Sequence, residues 1–177
     1  KIELTGFAMI IKELVDLIVR SQLMGLVSGI IMVFLMAVIA YRSFKLGVFA
    51  IIPLVITIAI SFGIMGYAGI PISTPIALMA NIVIGTGIDY SLHFLSRLRI
   101  EQKRKDAPGT ATARAIKGVG APILYNALSV GAGFLVLLFS SFVPVKYLGS
   151  LIALSMFTCG FSAITLLAAL SIEKNKE

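Results

Sequence analysis

Tryptophan is absent from the 177 residues, cysteine and histidine occur once each, and only 8 residues are acidic. A single cysteine excludes a disulfide within the chain and leaves no thiol cluster for a metal. Cys159, between Thr158 and Gly160 in an apolar run, reads as a small packing residue. The lone histidine, His93, has no cysteine to pair with, no second acid stands near Asp89, and no glycine-rich nucleotide loop is present. The residues that acid–base, nucleophilic or nucleotide chemistry would need are missing, so no enzymatic activity, metal or cofactor is expected. Without tryptophan, any aromatic belt at a membrane surface rests on tyrosine and phenylalanine.

What the chain has in excess is apolar surface. It is 59% hydrophobic with a mean hydropathy of +1.05, outside the range of a soluble domain, and the expected class is an all-α polytopic bundle in a lipid bilayer. A formal charge of +7 invites a nucleic-acid reading, but the basic residues sit in short connectors between apolar segments, where they set membrane topology. No nucleic-acid partner is expected.

At ~20 residues per crossing, five spans are expected near 22–41, 46–68, 72–96, 118–140 and 145–172. The last is longer than a crossing needs and should tilt or project. The connectors are Arg42 to Lys45, the uncharged Gly69-Ile70-Pro71, a long basic stretch over 97–117 with Asp106-Ala107-Pro108-Gly109 as its turn, and Phe142-Val143-Pro144. Ahead of the first span, residues 1–21 read as an extracytoplasmic tail and an amphipathic helix. Lys12, Asp16 and Arg20 recur every four residues, with Phe7, Ile10, Ile11, Leu14, Leu17 and Ile18 on the other side. That pattern suits an interfacial helix, or one packed on a soluble domain. The chain opens on Lys1 without signal-peptide anatomy and reads as a piece of something larger.

Counting Lys and Arg orients the bundle. Arg42, Lys45, Arg97, Arg99, Lys103, Arg104, Lys105, Arg114, Lys117, Lys174 and Lys176 gather on one side, against Lys1, Lys12, Arg20 and Lys146 on the other. The first side is expected to be cytoplasmic, with the N-terminus outside and the tail at 173–177 inside.

The third span carries a carboxylate, Asp89, well inside its apolar stretch. A centrally placed Asp costs roughly 3 kcal/mol on translocon scales, so such a residue faces a partner or a water-filled path. Asn81, Gly85, Asp89 and His93, spaced by four, form a stripe that is polar or small throughout. Asp89 lies eight residues before Arg97, about 12 Å from the cytoplasmic edge. In the fourth span Asn126 lies nine residues after Lys117, at nearly the same height, with the hydroxyls of Tyr125 and Ser129 nearby. An Asp89–Asn126 hydrogen bond is one expectation; pairing with backbone or with a segment outside this chain is the other. His93, one turn below Asp89, is either a proton relay or a residue that tolerates the interface. Gly85, Gly87, Gly131 and Gly133 are expected to let helices approach closely.

The run Gly85-Thr86-Gly87-Ile88-Asp89-Tyr90-Ser91-Leu92-His93-Phe94-Leu95-Ser96-Arg97 resembles the Asp-Tyr helix of the resistance-nodulation-division superfamily, and above all its MMPL-type members. Leu4-Thr5-Gly6 resembles the exit from an extracytoplasmic porter domain. Gly133-Phe134-Leu135 through Phe139-Ser140-Ser141-Phe142 and Pro144 resembles the fifth membrane helix and its turn. The likeness covers essentially the whole chain as a five-helix unit, one shared with sterol-sensing domains. It implies the membrane part of a proton-driven exporter of lipids or other amphiphiles in a prokaryotic plasma membrane, with a second half of the same transporter as partner. The charged ending suggests the C-terminal half. Asp89 would carry the proton, with Tyr90 beside it; Asn126 departs from the hydroxyl residue expected at its place. Two alternatives share the helix layout: a sterol-sensing type of lipid-binding regulatory module, and a protein-export accessory of the SecD/SecF type.

Overall fold

The computed structural model describes residues 2–71, 73–104 and 110–174, with the side chains at 2–5, 7–8, 74, 77 and 172–174 left aside. The expected turn at 106–109 and the end of the tail at 175–177 lie outside the described residues. Five long helices follow one another: α1 (Ile2–Tyr41), α2 (Phe44–Tyr67), α3 (Thr74–Gln102), α4 (Thr110–Leu135) and α5 (Val143–Lys174). A short 3₁₀ turn, Val136–Phe139, prolongs α4. All five are long and apolar enough to cross a membrane, and no strand occurs among the described residues. The chain is an all-α, multi-pass membrane protein.

The punctuation between helices is chemical. After α2, Gly69 adopts φ +63°. Its N–H donates to the Gly66 carbonyl and that of Ile70 to the Met65 carbonyl, so two end carbonyls of α2 find donors in a turn that glycine enters without strain. Pro75 stands in the first turn of α3, where its missing N–H costs nothing. At the α1–α2 junction the left-handed residue is Arg42, at φ 49°. Pro53 and Pro122 lie inside α2 and α4.

Two expectations need correction. Residues 2–21 are not a separate interfacial helix: α1 is continuous over 40 residues, roughly 60 Å against a hydrocarbon core of about 30 Å. Nothing near Ser21-Gln22 breaks the backbone ladder, so the helix propagates through the expected boundary. The basic connector over 97–117 is likewise mostly helix, because α3 runs on to Gln102 and α4 starts at Thr110.

α3 and α5 form the centre. α5 packs on α2, α3 and α4, whereas α1 touches only α2 and α3. The largest fully buried side chains include Tyr90 and Phe94 of α3, Leu54 of α2, and Ile152 and Met156 of α5. Small residues set the approach of the helices. A Cβ at Gly87 would lie 2.9 Å from Cys159 Sγ, and one at Gly149 would lie 2.5 Å from the Phe134 carbonyl oxygen. α1 meets α3 through Gly25 and Gly29, where a Cβ would contact Asn81 and Ile84. The Cys159 thiol donates to the Gly87 carbonyl at 3.4 Å, and the Ser61 and Ser155 hydroxyls share a 2.7 Å hydrogen bond between α2 and α5.

Candidate functional site

The site starts from the periodicity of α3. Its apolar residues Val83, Ile84, Ile88, Phe94 and Leu95 are buried against the bundle, which turns the stripe of Asn81, Gly85, Asp89 and His93 outward. All four are exposed on this chain. The stripe leans across its helix: Asn81 lies against Gly25 of α1, and His93 against α4. Among the described residues, no hydrogen bond or ion pair engages the Asp89 carboxylate.

Asn126 stands where the residue count places it. An ion pair between Glu101 of α3 and Arg114 of α4 fixes the antiparallel register. Asp89 lies twelve residues above Glu101 and Asn126 twelve above Arg114, so the two are level. They share no hydrogen bond within the chain: both are exposed, on the outside of neighbouring helices. His93 and Asn126 do meet, as walls of a pocket of about 200 Å³ completed by Tyr90, Val119, Pro122 and Ile123. A space of that size with an imidazole and an amide on its walls has room and partners for water.

Tyr90 is placed differently from its neighbour. It is 1% exposed, and its hydroxyl lies 3.8 Å from Met156 Sδ of α5, the sulfur that also accepts from Thr86 at 3.3 Å. Tyr125 and Ser129 point away from the bundle on α4. The glycines divide. Gly87 and Gly131 sit at close contacts with Cys159 and Phe157, whereas a Cβ on Gly85 or Gly133 would meet nothing within 4 Å.

The sequence reading passed over Glu101. Its side chain is fully buried at the C-terminal end of α3 and faces Arg97 Nη2 at 2.7 Å, Arg114 Nε at 2.9 Å and Arg104 Nη1 at 3.6 Å. The available signal was Arg97 one turn before it and Arg104 one turn after. Tyr41 closes the same end of the bundle: its hydroxyl donates to the Leu92 carbonyl at 2.7 Å and lies 3.0 Å from Ser96 Oγ, while Arg99 donates to the Tyr41 carbonyl. Among the described residues no group of three His, Cys, Asp or Glu side chains is arranged to hold a metal.

The sequence is similar to those of known membrane proteins. A membrane protein of Methanocaldococcus jannaschii is 27% identical over 169 residues, 95% of this chain and 43% of that protein. The apo-petrobactin exporter of Bacillus anthracis is 26% identical over 95% of this chain and 23% of its own length. The sulfolipid-1 exporter MmpL8 of Mycobacterium tuberculosis is 29% identical over 62% of this chain and 10% of its own. The chain thus spans less than half the length of each of these relatives. The MMPL family profile matches residues 1–172, almost the entire sequence, and the chain belongs to the MMPL family.

Proposed function

We propose that this chain is the membrane part of an exporter of lipids or other hydrophobic or amphiphilic compounds, driven by the proton-motive force, with Asp89 as the residue that carries the proton. One observation carries the reading. A carboxylate stands on the outer face of α3, within a helix long and apolar enough to cross a membrane, with no hydrogen-bond or ion-pair partner among the described residues and a polar stripe running through it. An ionised group cannot rest against lipid tails, so this face belongs against another protein surface or a water-filled path. The second half of the same transporter is the proposed partner. The modest coverage of the relatives, 43% or less of those described, agrees with a unit within a longer protein.

His93, Asn126, Tyr125 and Ser129 are the proposed polar surroundings, with the pocket below Asp89 giving water a place between His93 and Asn126. The end that holds Arg42, Lys45, Arg97, Arg99, Arg104, Arg114 and Lys117 is proposed to face the cytoplasm, in a prokaryotic plasma membrane, leaving the N-terminus outside. Carriage of the proton by Asp89 requires no enzymatic chemistry, cofactor or metal.

The test is Asp89→Asn in the complete protein, which keeps the shape and removes the titratable group. Export driven by a proton gradient is expected to be abolished while insertion and thermal stability stay at the wild-type level. Full export by the variant would overturn the assignment of the proton to Asp89.

A further inference from the structure

The inner end of the bundle holds a charged group that the reading above leaves unused. Glu101 is wholly buried, and its carboxylate is gripped from two helices: Arg97 and Arg104 approach from its own helix or just beyond, and Arg114 reaches across from α4. A buried carboxylate that loses a partner is left charged in a low-dielectric setting, so the pair resists being pulled apart far more than an exposed one does. Three residues above Arg114 the basic stretch ends at Lys117, and beyond it the α3–α4 boundary opens into the pocket between His93 and Asn126. The two helices are therefore fastened below a pocket that both of them line. Two residues before Arg114, the Thr112 hydroxyl shares a buried 3.0 Å hydrogen bond with Ser171 of α5, and the fastening extends to a third helix.

We propose that Glu101 is a positioning residue that couples α3 to α4: it joins their inner ends into one body, so that displacement of α3 on protonation of Asp89 is delivered to α4. Sliding or rotation of α3 alone would carry Arg97 with it and draw the carboxylate away from Arg114, whereas joint movement leaves both ion pairs whole. The inference rests on the reading of Asp89 as the proton carrier.

The experiment measures spin-label distances in the complete protein in lipid nanodiscs, at acid and alkaline pH. One pair joins α2 to α3 through Lys45→Cys and Gln102→Cys; the other joins α2 to α4 through Lys45→Cys and Lys117→Cys. All three positions are exposed, and the native Cys159 is fully buried. In the wild type both distances are expected to shift with pH, and in Asp89→Asn neither. In Glu101→Gln the α3 distance should still shift and the α4 shift should be lost. Arg114→Lys, which keeps the charge but loses the Nε–H donor, serves as a second variant with the same expected split and guards against a folding defect in Glu101→Gln. Both distances shifting in the two variants as in the wild type would overturn the coupling and leave the Asp89 reading standing. A wild type without a pH-dependent shift, or an Asp89→Asn variant that shifts as the wild type does, would overturn both.

Discussion

Asp89 and Asn126 stand level on antiparallel helices, each twelve residues from the Glu101–Arg114 ion pair, yet both face outward and do not bond to each other. A carboxylate and an amide at one depth on the outside of a membrane bundle make a surface incomplete by itself. Hydrocarbon cannot hydrogen-bond them, so what covers this face must carry polar groups or water.

Adjacent in sequence, Asp89 and Tyr90 are separated by environment, and their variants should behave differently. Tyr90 fills core space, and among the described residues its hydroxyl has one weak contact, with Met156 Sδ at 3.8 Å. Tyr90→Phe keeps the ring and is expected to cost less than about 1 kcal/mol. Thermal melts should barely move, and export should fall less than in Asp89→Asn. Export lost equally in both variants would make the Tyr90 hydroxyl part of the proton path.

The glycines give a ranking that follows from what each added methyl group would strike. Gly149→Ala places a Cβ 2.5 Å from the Phe134 carbonyl oxygen and 2.7 Å from Leu137 Cβ, neither of which can swing aside. Gly87→Ala meets Cys159 Sγ at 2.9 Å and Leu54 Cδ1 at 3.2 Å, side-chain ends that can yield. Overpacking costs about 1–3 kcal/mol, and Gly149→Ala is expected at or above the top of that range, with Gly87→Ala below it. Melting temperatures of the purified variants check the order. Gly85→Ala meets nothing within this chain, so a drop in its melting temperature would reveal a surface from outside the chain packed on the Asp89 face.

At the basic end of the bundle, burial separates two contacts to one carboxylate. Arg114 lies 2.9 Å from Glu101 and binds it across helices, whereas Arg104 lies 3.6 Å away with its side chain 61% exposed. Glu101→Gln removes the buried charge that holds Arg97 and Arg114, but both arginine side chains reach solvent, at 41% and 34% exposed, so the loss should fall below the roughly 3–5 kcal/mol of a fully buried pair and above the ~1 kcal/mol of an exposed one. Arg104→Ala should cost no more than about 1 kcal/mol, as for an exposed pair. Chemical denaturation in detergent compares them; equal losses would show that the knot does not depend on the interhelical contact.

Much of this architecture was legible because bilayers impose simple rules. A run of about 20 apolar residues in a bilayer satisfies its backbone as a helix, and the five helices expected are there, each long and apolar enough to cross a membrane. Four-residue spacing put Asn81, Gly85, Asp89 and His93 on one face, and they share it. Hydropathy is blind where the helix leaves the apolar stretch. It ended the third span at residue 96, although the ladder of α3 continues to Gln102 and there buries Glu101. Charge counting gave Arg97, Arg104 and Arg114 to topology, and only the fold shows that they converge on one acid. Nor does composition say which glycine of a pair meets a neighbour: Gly87 does and Gly85 does not.

Sidedness has its own measurement. Tyr67, 97% exposed at the end of α2, and Phe139, 90% exposed at the end of α4, mark the end opposite the arginines. Tyrosine rings settle at headgroup depth, and Phe139 lies at the same end of the bundle as Tyr67. Tyr67→Cys and Phe139→Cys should therefore react with a membrane-impermeant thiol reagent in intact cells. Gln102→Cys and Lys117→Cys, at the basic end, should react only after the membrane is opened. Cys159, fully buried between α3 and α5, should stay unlabelled in both conditions and serves as the internal control. The converse pattern would invert the bundle, place the basic end outside, and require Asp89 to take its proton from the opposite direction.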